Sequence, residues 1–188
     1  MYNIDKIKDD VRKNLSKFRY EHSIMVANEA KKLATKYNYD ENKAYIAGLL
    51  HDIAKEFSYD ENKKWIKKCN LNEKLLDKRY KDIIHADIGA CFVKSKYNLD
   101  DEICNAIKYH TIGHVPMDTL DKIIFIADKI ARKNITSIIK EEKKLAYKDL
   151  DRTLVLIIEN EKKYLESIGK SINGETLKLL NFLKSKNS

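Results

Sequence analysis

Residues that interrupt helices are scarce in this sequence. Its 188 residues include one proline and five glycines, the two residue types that most often break or end a helix. Runs that alternate apolar and polar residues are nearly absent, so β-strands are not expected. A chain of this length can bury one sizeable core. These absences predict a single all-α domain with long helices and short connections.

Long hydrophobic runs are also lacking. The longest, such as residues 123–127, are a few residues long, whereas a membrane-spanning helix needs roughly 20 apolar residues. The first residues, MYNIDKIKDDVRK, mix acids and bases and lack the apolar stretch of a signal peptide. We therefore expect a cytoplasmic protein with no membrane partner.

Cysteine is scarce, and its spacing does not suggest pairing. The three cysteines are Cys69, Cys91 and Cys104, which are odd in number, widely spaced and without a Cys-x-x-Cys motif. This pattern predicts reduced thiols rather than a disulfide framework or a zinc knuckle. Cys91 and Cys104 fall in apolar helical patterns, so we expect both in the core.

Charge, in contrast, is plentiful, and basic residues predominate. The net charge is +8, from 37 basic and 29 acidic residues. Few of the basic residues are arginine, the side chain on which sequence-specific readers of nucleic acid rely. A basic surface still attracts polyanions. We therefore expect a nucleotide as the partner rather than nucleic acid, and a homodimer is compatible with this composition.

Apolar residues at helical spacing run nearly from end to end. Ile4, Ile7 and Val11 predict the first helix. The next three helices are predicted to begin at Ser16, at Asp40 and at the Ser58-x-x-Glu61 capping box. Further helices are predicted near 72–79, 82–97, 100–110, 118–131, 137–148, 151–168 and 174–184, with Gly169 ending the second-last of them.

Several polar residues interrupt patterns that otherwise predict core. They are His22, His51, Asp52, His85, His110 and Asp128. A buried carboxylate is costly unless it is paired or bound to a cation, and neither acid has a basic residue at a matching position inside its own apolar run. Each histidine alone is more typical of a helix cap or a satisfied core residue, but the ordered set favours a shared metal. Mixed imidazole and carboxylate ligands suit Fe, Mn, Co or Zn.

The order and spacing of these residues resemble the HD superfamily of metal-dependent phosphohydrolases. Within it, the chain resembles the YqeK-type symmetrical diadenosine tetraphosphate hydrolases of bacteria. The similar segments are Arg19–His22, Ala47–Glu56, His85 with Gly89-Ala90, Ala106–Thr111 with Gly113, Ile124–Asp128 and, more faintly, Ile172 with Thr176-Leu177. The resemblance covers residues 17–182. It implies one HD-type helical bundle of about ten helices over residues 1–188, with a metal-binding core at 17–132 and C-terminal helices at 133–188 packed on it.

The resemblance also implies a role for each candidate residue. A first metal, with iron as the first choice and Mn, Co or Zn as alternatives, would be held by His22, His51, Asp52 and Asp128. His85 and His110 would hold a second ion, or contact phosphate if one ion binds. Contacts to substrate or catalytic roles are expected for Lys55, which follows Asp52 by one helical turn, and for Arg19, Thr111 and Arg132. A base pocket is predicted at Lys170, Ser171, Ile172, Asn173, Gly174 and Glu175.

The activity implied by the resemblance is cleavage of diadenosine tetraphosphate at its centre, giving two ADP. The chain departs from the family where Lys129–Asn134 replaces the usual Ile-Glu-Pro-x-Arg, and where Asn173-Gly174 replaces His-Pro. A second hypothesis is therefore another nucleotide substrate, such as a deoxynucleotide or a cyclic dinucleotide. A third is a non-catalytic helical domain that binds RNA or a protein partner, although such a domain has no need for six potential metal ligands.

Overall fold

Ten α-helices make up most of the protein, for which a computed structural model describes residues 3–186. They are α1 (Ile4–Asn14), α2 (Lys17–Lys36), α3 (Glu41–Leu50), α4 (Tyr59–Lys68), α5 (Ile84–Tyr97), α6 (Asp101–Tyr109), α7 (Thr119–Ile130), α8 (Ser137–Ala146), α9 (Leu150–Ser167) and α10 (Gly174–Lys186). Residues 3–186 contain no β-strand. The all-α class and the bundle of about ten helices that the family resemblance implies are therefore confirmed. The ends of the predicted span 1–188, namely Met1, Tyr2, Asn187 and Ser188, lie outside the described residues.

The helix starts follow the capping residues that the sequence predicts. The Ser16 hydroxyl accepts a hydrogen bond from the Arg19 amide, and Asp40 accepts from two amides of the first turn of α3. Ser58 and Glu61 form the reciprocal capping box of α4. Gly169 follows α9 with a φ of +71°, a left-handed conformation that glycine adopts without steric cost.

The helix predicted at 72–79 is wrong. Two 3₁₀ helices, Glu73–Leu76 and Lys78–Tyr80, occupy this region. Between them Asp77 is extended, and its side chain accepts hydrogen bonds from the Arg79 amide and guanidinium. Such local side-chain bonds compete with continuous helix, which is why the apolar spacing alone misled the prediction.

The centre of the bundle is formed by α2, α3 and α7, which pack directly on one another. Gly48 allows the closest approach, because a Cβ at this position would lie 2.9 Å from the Cα of Ala27. Fully buried Leu33, Leu49 and Phe125 fill the space between these helices. The same three helices carry or precede four of the predicted metal ligands, so the core fixes the positions of those side chains.

A disulfide joins Cys69 to Cys91, which corrects the expectation of reduced thiols. The two Cα atoms are 6.2 Å apart, within the range that a disulfide requires. Cys69 caps α4 and Cys91 lies on α5, and these helices pack together. Cys91 is half-buried rather than in the core. Only Cys104 is a buried free thiol, as predicted.

The C-terminal helices pack on the side of the bundle where α7 lies. Helix α9 contacts α7, α8 and α10. From α10, the Thr176 hydroxyl donates a 2.8 Å hydrogen bond to the carbonyl of Ile112, and Leu179 covers Gly113. These contacts place the start of α10 beside the loop that follows α6. None of the helices described is long and apolar enough to cross a membrane.

Candidate metal centre and adjoining cavity

Four of the predicted ligands meet where α2, the end of α3 and α7 converge. The Oδ1 atom of Asp128 lies 3.0 Å from the Nε2 of His22 and 3.5 Å from the Nε2 of His51. The Nε2 of His51 also lies 3.6 Å from the Oδ2 of Asp52. All four side chains are buried. Ring nitrogens and carboxylate oxygens thus converge on one point inside the protein.

His85 and His110 lie on the other side of Asp52. Its Oδ1 atom is 3.1 Å from the Nε2 of His85 and 3.7 Å from the Nε2 of His110. The two Nε2 atoms are 3.2 Å apart. His85 stands in the first turn of α5 and His110 caps α6, so the helix ends bring residues that are distant in sequence onto one carboxylate.

The backbone sets the orientation of two of these rings. The Nδ1–H of His51 donates to the carbonyl of Gly48 at 2.7 Å, and that of His110 donates to the carbonyl of Ile107 at 2.6 Å. Each Nε2 atom is therefore the ring nitrogen that faces the carboxylates. The Nε2 of His51 is buried and has no hydrogen-bond partner among the described residues. A buried ring nitrogen without a hydrogen-bond partner is what a metal ligand presents before the ion binds.

The local electrostatics favour ionised acids and two neutral imidazoles. Burial would raise the pKa of Asp52, but His51, His110 and His85 together hold it well below its usual value. Burial likewise opposes ionisation of Asp128, and Lys129 and His22 outweigh it, so that its pKa is lowered. Burial lowers the pKa of His85 to about 4 and also lowers that of His110. At neutral pH these two rings are uncharged, as metal coordination requires.

His51 differs from these two rings. Burial would lower its pKa, but the carboxylates of Asp52 and Asp128 raise it overall. A cation placed between these acids would take over the stabilising role of the ring proton.

Five of the six side chains form two groups that suit a divalent transition metal. His22, His51 and Asp52 form one group whose ligand atoms all lie within 4.8 Å of one another, and Asp52, His85 and His110 form a second. Both groups contain nitrogen and oxygen donors, and they share Asp52. The first group could hold one ion, and the second group could hold another.

The expectation that the two acids lack basic partners is wrong. The Nη1 atom of Arg19 is 3.2 Å from the Oδ2 of Asp52, and the Nζ of Lys129 is 3.4 Å from the Oδ2 of Asp128. Arg132 approaches the Oδ1 of Asp128 at 3.8 Å. The sequence argument considered only positions on the same helix, whereas Arg19 reaches Asp52 from α2. Each acid still has its other oxygen directed at the imidazoles.

The metal centre opens into a cavity of about 400 Å³. Of the residues predicted to contact substrate or bind a base, those in its wall are Arg19, Lys55, Thr111, Arg132, Ser171, Ile172 and Asn173. Lys170, Gly174 and Glu175 belong to the same segment but do not line the cavity. The sequence interpretation missed Asp82, Ile83, Ile112, Glu161 and Leu165. One signal existed: Glu161 continues the spacing of the buried Leu154 and Ile158 on α9, where a core residue would be expected.

Lys55 lies between the metal centre and the cavity. Residues 51–56 form hydrogen-bonded turns rather than a continuation of α3, and the Lys55 amide donates to the Asp52 carbonyl at 2.8 Å. Its Nζ atom is 3.2 Å from the Nδ1 of His85 and 3.3 Å from the carbonyl of Asp82. Burial lowers the pKa of this amine. The prediction that Lys55 follows Asp52 by one turn of a regular helix was therefore wrong, although Lys55 does lie close to the metal centre.

A helical bundle with paired His/Asp groups of this kind defines the class of HD domain proteins. The HD domain family matches residues 19–133, and the chain belongs to this family. It is 34% identical over 176 residues to "Bis(5'-nucleosyl)-tetraphosphatase, symmetrical" of Bacillus subtilis, covering 93% of this chain and 94% of the relative. It is 32% identical over 183 residues to the protein of the same name from Staphylococcus aureus, covering 96% and 94%.

A solved structure supports the same family. A protein from Clostridium acetobutylicum, described as a "predicted HD superfamily hydrolase involved in NAD metabolism", is 33% identical with a TM-score of 0.89. The likeness covers 99% of both chains. The resemblance drawn from the sequence motifs is therefore confirmed over nearly the whole chain.

Proposed function

We propose that this protein is a metal-dependent phosphohydrolase that cleaves diadenosine tetraphosphate at its centre, giving two ADP. The observation that carries the proposal is the pair of His/Asp groups sharing Asp52, which opens into a cavity with four cationic side chains in its wall. Those side chains are Arg19, Lys55, Lys129 and Arg132. A negatively charged polyphosphate is the ligand that such a wall favours. The names of the relatives supply the particular substrate.

His22, His51, Asp52 and Asp128 would hold one ion, and Asp52, His85 and His110 a second. Iron is the first choice, with Mn, Co and Zn as alternatives. When bound, a metal of this type neutralises phosphate charge and supplies an activated water. A cytoplasmic location, where nucleotides are abundant, is part of the proposal.

The remaining side chains would bind and orient the polyphosphate. Lys55 is our candidate for holding an oxygen of the attacked phosphate, because its amine lies within 3.3 Å of His85. Arg19 and Arg132 would bind the neighbouring phosphates, and the Thr111 hydroxyl would donate a further hydrogen bond. Phosphoryl transfer depends mainly on positioning and charge stabilisation, which are the contributions these groups can make.

The nucleoside would occupy the end of the cavity that is lined by α9 and by the segment between α9 and α10. There Leu165 and Ile172 supply apolar surface, and Glu161 and Asn173 supply polar groups for a base or ribose. An adenosine held at this end would present its second phosphate to the centre, so that the cut leaves ADP in the site. ADP contains everything that the cavity would bind, and it should therefore inhibit.

The test is hydrolysis of diadenosine tetraphosphate in heavy-oxygen water, with the products separated and weighed. We expect ADP alone, with one solvent oxygen in one of the two ADP molecules, and we expect the activity to disappear when a chelator removes the metal. AMP plus ATP would contradict central cleavage. Release of phosphate from deoxynucleotides, without turnover of the dinucleotide, would support the second hypothesis instead.

A further inference from the structure

A second cavity, of about 320 Å³, lies directly beside the first. Arg19, His22 and Arg132 line both cavities and so form the partition between them. We call the second cavity the distal pocket; its other lining residues are Phe18, Met25, Lys133, Asn134 and Ile139. Its volume falls at the lower end of the range of small-molecule sites, roughly 300–1,000 Å³.

The distal pocket combines an exposed aromatic ring with apolar and amide groups. Phe18 lies in the first turn of α2 and is 67% exposed, although it immediately precedes Arg19 of the metal centre. Met25 and Ile139 are half-buried and supply the apolar surface, and Asn134 is exposed. An aromatic ring can stack on any nucleobase. The Asn134 amide offers both a donor and an acceptor, which the edge of a purine can match.

The charge around the distal pocket fits a polyphosphate that enters it from the metal centre. Arg19 and Arg132 form the partition, and Lys133 lies in the wall next to Arg132. Lys133 forms an ion pair with Glu21, and Arg19 pairs with Asp52, so both cations are held near the partition. Phosphates crossing this partition would meet cations on both sides of it.

Building on the proposed function, we propose that the distal pocket binds the second nucleoside of the dinucleotide, in the half that departs as ADP. A dinucleotide cut at its centre has an equal half on each side of the cut. The first cavity holds one half, and the other must continue past the metal centre. The distal pocket adjoins the centre at His22 and has the aromatic, apolar and cationic groups that a second nucleoside diphosphate requires.

The experiment compares two substrates that carry the same four phosphates. Diadenosine tetraphosphate has both nucleosides, whereas adenosine 5'-tetraphosphate lacks the second. We expect Phe18→Ala to lower the ratio of kcat/KM for the dinucleotide to that for the mononucleotide by about tenfold, the loss typical of one stacking contact. Phe18→Trp, which keeps a stacking ring, should retain the wild-type ratio. Tyr59→Ala is the matched control, because Tyr59 is 62% exposed on α4 and lies outside both cavities.

The outcomes separate the inference from the function on which it rests. If the wild type cleaves the dinucleotide but Phe18→Ala leaves the ratio unchanged, or lowers both rates equally, the distal pocket does not bind the second nucleoside. If the wild type does not cleave the dinucleotide, the proposed function itself is wrong. If the wild type cleaves only the dinucleotide, the KM for the dinucleotide and the Ki of ADP are measured for the wild type and for Phe18→Ala. We then expect Phe18→Ala to raise the ratio of this KM to this Ki by about tenfold.

Discussion

At the residue scale, Asp52 is the side chain that both halves of the metal centre share. Its Oδ1 atom faces His85 and His110, and its Oδ2 atom faces His51 and Arg19. No other residue of the six belongs to both ligand groups found in residues 3–186. The two possible ions therefore differ in their dependence on the remaining ligands but not in their dependence on Asp52.

Metal content should follow this division. We expect Asp52→Ala to lose all bound metal, and His110→Ala to retain one ion where the wild type binds two, because His110 belongs to the second group alone. Elemental analysis of the purified proteins measures this directly, with circular dichroism to confirm folding. His114→Ala is the control, since His114 instead contacts Asp121 and stacks on Tyr109. An Asp52→Ala protein with full metal content would show that the shared carboxylate is not a ligand.

Lys55 should matter for catalysis but not for folding. We expect Lys55→Ala to keep its fold and its metal and to lose roughly 100-fold in kcat, about 3 kcal/mol, by analogy with removal of one donor that stabilises transition-state charge. Steady-state kinetics on the metal-loaded protein test this. Lys63→Ala, an exposed lysine on α4, is the matched control. If Lys55→Ala has wild-type kinetics, Lys55 does not contact the reacting phosphate.

The sequence was sufficient to predict which histidines and acids would meet. It was not sufficient to predict which basic side chains form ion pairs with the acids. His22 and Asp128 are 106 residues apart, yet both interrupt apolar helical patterns, and that interruption marks a polar group facing a core. The Arg19–Asp52 pair leaves no such mark. It depends on how α2 lies against the end of α3, and helical periodicity does not contain that information.

At the scale of the elements, the link between α4 and α5 is the least expected feature. The disulfide closes a loop of 22 residues that includes both 3₁₀ helices and reaches the start of α5. His85 stands at that start, so the link restrains the element that positions it. Odd cysteine number and wide spacing could not reveal a pairing that depends on two helices lying side by side.

Removing this link should reduce stability. A cross-link closing a loop of this length contributes about 3 kcal/mol in the chain-entropy estimate. We expect Cys91→Ser to lower the free energy of unfolding by about that amount in buffer without reductant, measured by urea titration. With reductant, wild type and variant should coincide. Equal stability without reductant would mean that the thiols are reduced, as the spacing of the cysteines had suggested.

Helix boundaries show a similar division between local and distant information. Ser16, Asp40 and the Ser58–Glu61 box determine helix starts through bonds within one turn, and sequence reasoning placed all three. The region 72–79 failed because Asn72 and Asp77 each bind a nearby amide and start a separate short 3₁₀ helix. A helix boundary is predictable from sequence where one capping residue acts alone. It is not predictable where several capping residues compete for nearby amides.

At the scale of the whole molecule, the residues that line the substrate cavity extend beyond the segment that matches the HD domain family. The HD domain match ends at residue 133, whereas one wall of the cavity comes from residues 161–176. That wall is joined to the rest by the Thr176–Ile112 hydrogen bond and the contact of Leu179 with Gly113. The sequence predicted a base pocket at 170–175 only through the family resemblance, because contacts between α10 and the loop after α6 leave no periodic signature. The division of the domain at residue 132 remains a prediction.

The wall formed by residues 161–176 carries none of the six predicted ligands. Substitutions in this segment can therefore reshape the space for a base while the imidazoles and carboxylates stay in place. A lineage could exchange one nucleotide for another through such changes and keep an intact hydrolytic centre at every step. Descendants that prefer another nucleotide would then differ most in sequence near the C-terminal end of the chain. The helices that hold the histidines would stay similar among them.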